Sequence, residues 1–150
     1  MIIRDILGLK GSTIFSIEPE GLLSDAVKTM VSNDIGSLVV MKNGAMIGML
    51  TFREVLSELN VRGGNLGDAQ VGAVMVTKPI TGNPTDSVDH LREVMLNNHI
   101  RYLPVAEGAQ LLGVISFHDV AKAVIKQTNF ENRLLKRYIK NWPEADEPIK

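Results

Sequence analysis

Apolar positions along the chain change their period several times, and each change marks an element. In Asp25-Ala-Val-Lys-Thr-Met-Val they fall at 26, 27, 30 and 31, the spacing of a helix with one buried face. Ser24 or Asp25 is placed to cap its first turn, where a short oxygen side chain accepts a free backbone N–H. Ser37-Leu-Val-Val-Met is too short for a helix and rich in β-branched residues, so it predicts a buried strand. Asn43-Gly44 predicts a tight turn, because both residues tolerate positive φ. Met46-Ile-Gly-Met-Leu-Thr predicts a second strand, and Phe52 to Leu59 a helix with Thr51 as its N-cap.

The same succession then returns. A helix is expected near Ser87 to Asn98, a strand at Tyr102 to Ala106, a turn at Glu107-Gly108, a strand at Leu111 to Ser116, and a helix from Phe117 to about Lys126. Short entering strands are expected at Phe15-Ser-Ile and Pro79-Ile-Thr. Sliding the sequence on itself until Pro19 falls on Pro84 aligns the two halves without a gap. In that one register Met30 falls on Met95, Asn33 on Asn98, Gly48 on Gly113, Phe52 on Phe117 and Val55 on Val120. Thr51 pairs with Ser116 and Glu54 with Asp119, so chemistry is repeated as well as identity. Each unit is strand, helix, strand, strand, helix. One unit alone has too few residues to cover its sheet, and two packed together give a pseudo-twofold α/β domain.

Two segments stand outside the repeat. Residues 60–70 hold Gly63, Gly64 and Gly67 and are expected to be a flexible loop; with no strand feeding them and no lysine of the Walker type behind them, they are not a nucleotide fingerprint. At the other end, Phe130, Leu134, Leu135, Tyr138, Ile139 and Trp142 lie at helical spacing. That helix either docks its apolar stripe on its own domain or supplies a self-association surface. The acidic, Pro-containing stretch after Pro143 is expected to be disordered.

Composition narrows the function. The chain has 150 residues, 45% of them hydrophobic, enough for one compact domain that needs no covalent staples. It holds no cysteine, and no apolar run approaches the length of a membrane span; a soluble, cytoplasmic protein is expected. Sixteen Lys and Arg against 17 Asp and Glu give a net charge of −1, which does not suit a nucleic-acid partner. The one local basic group, Lys136-Arg137 with Lys140, fits a solvated helix face.

The repeated motifs resemble the CBS-domain (cystathionine β-synthase domain) family, in the tandem arrangement called a Bateman module, of the short stand-alone bacterial or archaeal type. The resemblance runs from about Arg4 to Lys126. It is carried by Asp34-Ile-Gly-Ser-Leu-Val-Val and its partner His99-Ile-Arg-Tyr-Leu-Pro-Val. It is carried equally by Gly48-Met-Leu-Thr-Phe-Arg-Glu54 and Gly113-Val-Ile-Ser-Phe-His-Asp119, with Ala73-Val-Met-Val and Thr81-Gly-Asn-Pro84 leading into the second copy. The resemblance implies two β-α-β-β-α repeats related by a pseudo-twofold axis, their sheets packed together with flanking helices. It divides the chain into an N-terminal helical lead-in (1–14), repeat 1 (15–60), a linker and lead-in helix (61–78), repeat 2 (79–127), and a C-terminal helix with an acidic tail (128–150).

It also implies two related clefts for an adenine ligand: AMP, ADP, ATP, NAD or S-adenosylmethionine. A hydroxyl at a strand end that opens a helix sits beside free N–H groups and the positive helix end, a setting for phosphate. An acid one turn on can accept hydrogen bonds from ribose hydroxyls. Carried over within each copy, the second cleft comprises Ser116 for phosphate, Asp119 for ribose, Ile80, Ile100, Tyr102 and Pro104 around the base, Arg101 reaching a phosphate, and Thr81 beside them. The first comprises Ile17, Gly36, Ser37, Leu38, Thr51 and Glu54, and it departs from the pattern. Glu54 is one methylene longer than the usual Asp, and Gly36 stands where the other copy has Arg101, so this cleft is either empty, weaker or tuned to another ligand.

Catalysis is not expected. His90, His99 and His118 share no metal-type spacing. Ser116, His118 and Asp119 lie on one helix turn and point in different directions, so they do not form a triad. The resemblance instead implies a regulatory ligand sensor without a catalytic cofactor, a homodimer in which four repeats form a disk, and output through a separate effector protein. The competing reading is a dimerising scaffold whose clefts have lost their ligand.

Overall fold

The computed structural model describes residues 1–11 and 13–139. Its elements are α1 (Ile3–Lys10), β1 (Ser16–Ile17), α2 (Leu23–Asn33), β2 (Ser37–Lys42), β3 (Ala45–Thr51), α3 (Phe52–Val61), α4 (Val71–Val74), α5 (Val88–Asn97), β4 (Tyr102–Glu107), β5 (Gln110–Ser116) and α6 (Phe117–Tyr138). One sheet has the order β1-β2-β3, with β1 parallel to β2 and β3 antiparallel; the other is the β4-β5 hairpin. The expected α/β fold of two like repeats is the one observed.

The repeat extends to backbone detail. Each hairpin carries a register shift at a similar place, between Val40 and Met41 and between Val105 and Ala106. Asp34 and His99, equivalent positions of the two repeats, both take left-handed conformations after their helices, with φ of 51° and 53°. Asp tolerates that region because its short side chain bonds locally, and it lets the chain turn sharply into the strand. Asn43 and Gly44 both have positive φ, as the two-residue turn requires.

Each repeat has its own core. In repeat 1, Leu23, Ala26 and Met30 of α2 pack on Leu38, Val40 and Leu50 of the sheet and on Val55 of α3. In repeat 2, Val88, Leu91 and Met95 of α5 pack on Leu103, Val105, Ile115, Val120 and Ala123. The outward faces of the hairpins carry the cross-strand pairs Val39–Met49 and Pro104–Val114, with Val39 and Met49 almost fully buried.

The lead-in helices are exchanged. Ile3 and Ile6 of α1, which precedes repeat 1, complete the core of repeat 2. The N–H groups of Ile3 and Arg4 donate to the carbonyls of Asp86 and Pro84 at 2.9 Å each. Val71 of α4, which precedes repeat 2, lies in the core of repeat 1, and the N–H groups of Val71 and Gly72 donate to Gly21 and Pro19. The same exchange starts α2 at Leu23: the carbonyl of Ala69 takes the N–H of Leu23 at 2.9 Å. Leu22 is therefore the N-cap, and Ser24 and Asp25 lie inside the first turn rather than capping it. Asp25 there favours the helix through its dipole.

Three further expectations change. The segment Pro79-Ile-Thr forms no strand; only Gly82 bridges, to Val105, its N–H bonding the Pro104 carbonyl and its carbonyl the Ala106 N–H. The glycine-bearing connector is tied down by Arg62, which bonds Glu58, Asp68 and the Leu66 carbonyl. The last two expected helices are one, α6, which runs 22 residues through Gln127-Thr-Asn without a break. Beyond Lys126 it leaves the domain, so Phe130, Leu134, Leu135 and Tyr138 are exposed instead of docked. Trp142, Lys140 and the acidic stretch lie outside the described residues. Among the described residues no helix is long and apolar enough to cross a membrane.

Candidate ligand-binding cleft

Residues 76–82 cross from one repeat to the other. Met49 and Val76 exchange backbone hydrogen bonds of 2.9 and 2.8 Å, which stitches the start of this crossover to β3. At its far end the Gly82 N–H donates to the Pro104 carbonyl, which places the chain beside β4. Gly48 permits the first contact: a Cβ there would lie 2.7 Å from the Val76 carbonyl oxygen. A cleft of about 660 Å³ lies along the crossover, within the range of small-molecule sites.

One wall comes from the end of β3 and the start of α3: Met49, Thr51, Phe52, Arg53 and Glu54. The other comes from Lys78, Pro79 and Ile80 of the crossover and from His99, Ile100, Arg101 and Tyr102 before β4. The two walls touch at aromatic rings. Phe52 meets Tyr102 edge to face with centroids 6.3 Å apart, and the Arg101 guanidinium lies 5.3 Å from the Phe52 centroid. Both contacts favour a fixed placement of Arg101.

The site therefore combines residues that the repeat pattern divides between two clefts. Ile80, Ile100, Arg101 and Tyr102 share a cleft with Thr51 and Glu54, not with Ser116 and Asp119. The reason is the crossover: Val76 pairs with β3 of repeat 1, so the hydroxyl and acid of repeat 1 face the strand entry of repeat 2. Thr81 and Pro104 do not line this cleft, and Pro104 is buried. Ile17 and Leu38 belong to the core of repeat 1. Ser37, at the start of β2, pairs with Thr51. Gly36 lines a second, apolar hollow of about 590 Å³ with Val31, Leu56, Phe52 and Tyr102. Sequence reasoning missed Met49, Phe52, Arg53, Val76, Lys78, Pro79 and His99. The repeat shows which positions are equivalent, but not which copy faces which.

Both hydroxyl–acid pairs form capping boxes. Glu54 Oε1 accepts from the Thr51 N–H at 2.8 Å and from its hydroxyl at 2.9 Å. The added methylene lets the carboxylate fold back on Thr51, and it leaves Oε2 without a protein donor among the described residues. In repeat 2, Asp119 Oδ2 accepts from the Ser116 N–H at 2.8 Å and from Lys10 Nζ, at the end of α1, at 2.5 Å. Burial pushes the Asp119 carboxyl up, but the Lys10 ammonium and the Ser116 N–H together outweigh it and hold the group below the usual carboxylate range. Ser116 Oγ accepts from the Asp119 N–H at 3.1 Å, an arrangement for capping and not for nucleophilic attack.

The family model for the CBS domain matches this chain twice, over residues 3–61 and 71–126. The chain is 35% identical over 120 residues to the mitochondrial CBS domain-containing protein CBSX3 of Arabidopsis thaliana, covering 77% of this chain and 58% of that protein. The crystal structure of a CBS-domain containing protein from Agrobacterium tumefaciens superposes with a TM-score of 0.79 at 27% identity, covering 82% of this chain and 98% of that one. The CBS domain pair of protein MJ0100, solved with 5′-methylthioadenosine and S-adenosyl-L-methionine, shares the fold at a TM-score of 0.75 and 18% identity, over 85% and 98% of the two chains. With two matched repeats, a duplicated backbone and a cleft at the crossover between them, the chain belongs to the CBS-domain family as a tandem CBS pair.

Proposed function

We propose that this CBS pair is a non-catalytic regulatory module whose crossover cleft takes an anionic adenine nucleotide of the AMP, ADP, ATP or NAD kind. The observation that carries this reading is one cleft in which three full cations, Arg53, Lys78 and Arg101, share the lining with Met49, Val76, Ile80 and Ile100 and a single acid, Glu54. Apolar side chains sandwich a base, guanidinium forks meet phosphate oxygens, and Glu54 Oε2 accepts from a ribose hydroxyl. The adenosyl group common to both MJ0100 ligands supports the ligand class. The cationic lining favours phosphates over a sulfonium. A chain free of cysteine suits a cytoplasmic role.

Thermal unfolding with AMP, ADP, ATP, NAD, S-adenosylmethionine, 5′-methylthioadenosine and GTP tests the reading. A ligand at 100 times its Kd adds about 2.7 kcal/mol. For a chain of this size the transition then rises by roughly 5–10 °C. Arg101→Ala and Glu54→Ala lose that rise. No movement with any adenine compound at millimolar concentration would leave the scaffold reading in its place.

A homodimer is the companion proposal. Val31 and Leu96 occupy the same position in the two repeats and are 76% and 54% exposed, with Leu56 nearby at 57%. Matched apolar helix faces on both repeats suit a second copy of the chain. Light scattering at micromolar concentration should give the mass of two chains; the mass of one overturns it.

A further inference from the structure

The two lead-in helices stand at equivalent places but differ in length. Ile3 and Val71 both enter the partner repeat's core and donate to Asp86 and Gly21, which are themselves equivalent positions of the two repeats. The path from Ile3 to Ile17, beside Val40, is longer than the path from Val71 to Gly82, beside Val105. The excess is about three residues, nearly one helical turn. Whereas α4 stops at Val74 and the chain straightens to pair with β3, α1 continues helical to Lys10. That extra turn carries the Lys10 ammonium onto Asp119, the counterpart of Glu54. Counted from the equivalent starts, Lys10 corresponds to Lys78, which lines the open cleft, where Glu54 bonds Thr51 instead.

The surroundings of Asp119 differ in the same sense. In the register of the repeat, Arg101, Arg53 and His99 of the open cleft become Gly36, His118 and Asp34. The cations that would meet a ligand's phosphates are gone, and Lys10 supplies the one close positive charge on the acid among the described residues.

We propose that Lys10 is a built-in occupant of the repeat 2 cleft, holding Asp119 as a ribose hydroxyl would and leaving the module with one open ligand site. This rests on the reading of the clefts as adenosine-binding. A ligand entering the second cleft must displace the ammonium, so that α1, Lys10 and Asp119 form an autoinhibitory contact.

Equilibrium dialysis with labelled adenosine, which has the ribose diol and no phosphate, tests it on the full chain. The wild type should take up one equivalent per chain, and Lys10→Ala two. Lys10→Met, which keeps a flexible unbranched stem and loses both charge and donor, guards against a folding artefact and should also take up two. Adding Asp119→Ala to Lys10→Ala should return the count to one. None for the wild type but one for Lys10→Ala supports the latch while sinking the proposal for the open cleft. An unchanged count, whether one or zero, overturns the latch.

Discussion

At the residue scale, Gly36 shows how a single absent side chain shapes the site. A Cβ there would lie 2.1 Å from the Tyr102 hydroxyl oxygen and 2.9 Å from the ring carbon bearing it. The ring is rigid and braced edge-on by Phe52, so moving it aside sacrifices that contact. Gly36→Ala should therefore destabilise the fold by about 1–3 kcal/mol through overpacking. It should also displace Tyr102 from the cleft wall, and urea unfolding combined with the ligand-induced thermal rise measures both effects. In the sequence, Gly36 reads as an Arg101 that is missing; the structure gives it a positive purpose. Asn43-Gly44 and Thr51 were legible for the opposite reason, since their roles depend on a few neighbouring backbone atoms. Asp119 adds a pH dependence. Its carboxyl is held below its unfolded value of about 3.9, so the contribution to stability is present above that pH and is lost as pH falls through the folded value. Between pH 7 and pH 3, the drop in urea midpoint should be smaller in Lys10→Ala than in the wild type.

At the element scale, the exchange of α1 and α4 decides which residues hold which repeat. Ile3 is wholly buried among repeat 2 side chains, although it precedes repeat 1 in sequence. Ile3→Ala should cost about 2–5 kcal/mol. Amide exchange should rise first in α5, β4 and β5, not in α2 or β2; the reverse order contradicts the exchange. The pattern of apolar positions specified the helices and hairpins because period and turn chemistry are local. It misplaced the start of α2, where the Leu23 N–H is satisfied by Ala69, far along the chain and beyond the reach of any local pattern. It also split α6, because Gln127-Thr-Asn is polar enough to look like a break, while nothing in those residues forbids a helix.

At the scale of the whole molecule, the site was half legible. Internal similarity paired Thr51 with Ser116 and Glu54 with Asp119, and the resemblance to CBS repeats implied their roles, the base-framing positions and Arg101. It could not assign partners, because a sequence aligned with itself is equally consistent with clefts built within a repeat or across two. The bridge between Met49 and Val76 decides that for the open cleft. It also sets the cleft between the repeats: one wall comes from repeat 1, the other from the crossover and repeat 2. On the proposed reading, a ligand that fitted both walls better at one spacing of the repeats than at another would supply the differential binding a regulatory module needs.

The exchanged helices also set an order of events during synthesis. The core of repeat 1 draws on residues 15–75, one continuous stretch that is finished once α4 has left the ribosome. Repeat 2 draws on residues 88–123 and on Ile3 and Ile6, made long before their partners. Residues 13–76 should thus form a folding unit on the growing chain, with α1 waiting as an unpaired amphipathic segment. Closing so long a loop slows the last step, and it favours a neighbouring chain's repeat 2 when chains are crowded. Stalled chains ending well past residue 76 should protect repeat 1 from proteolysis while α1 is still cut.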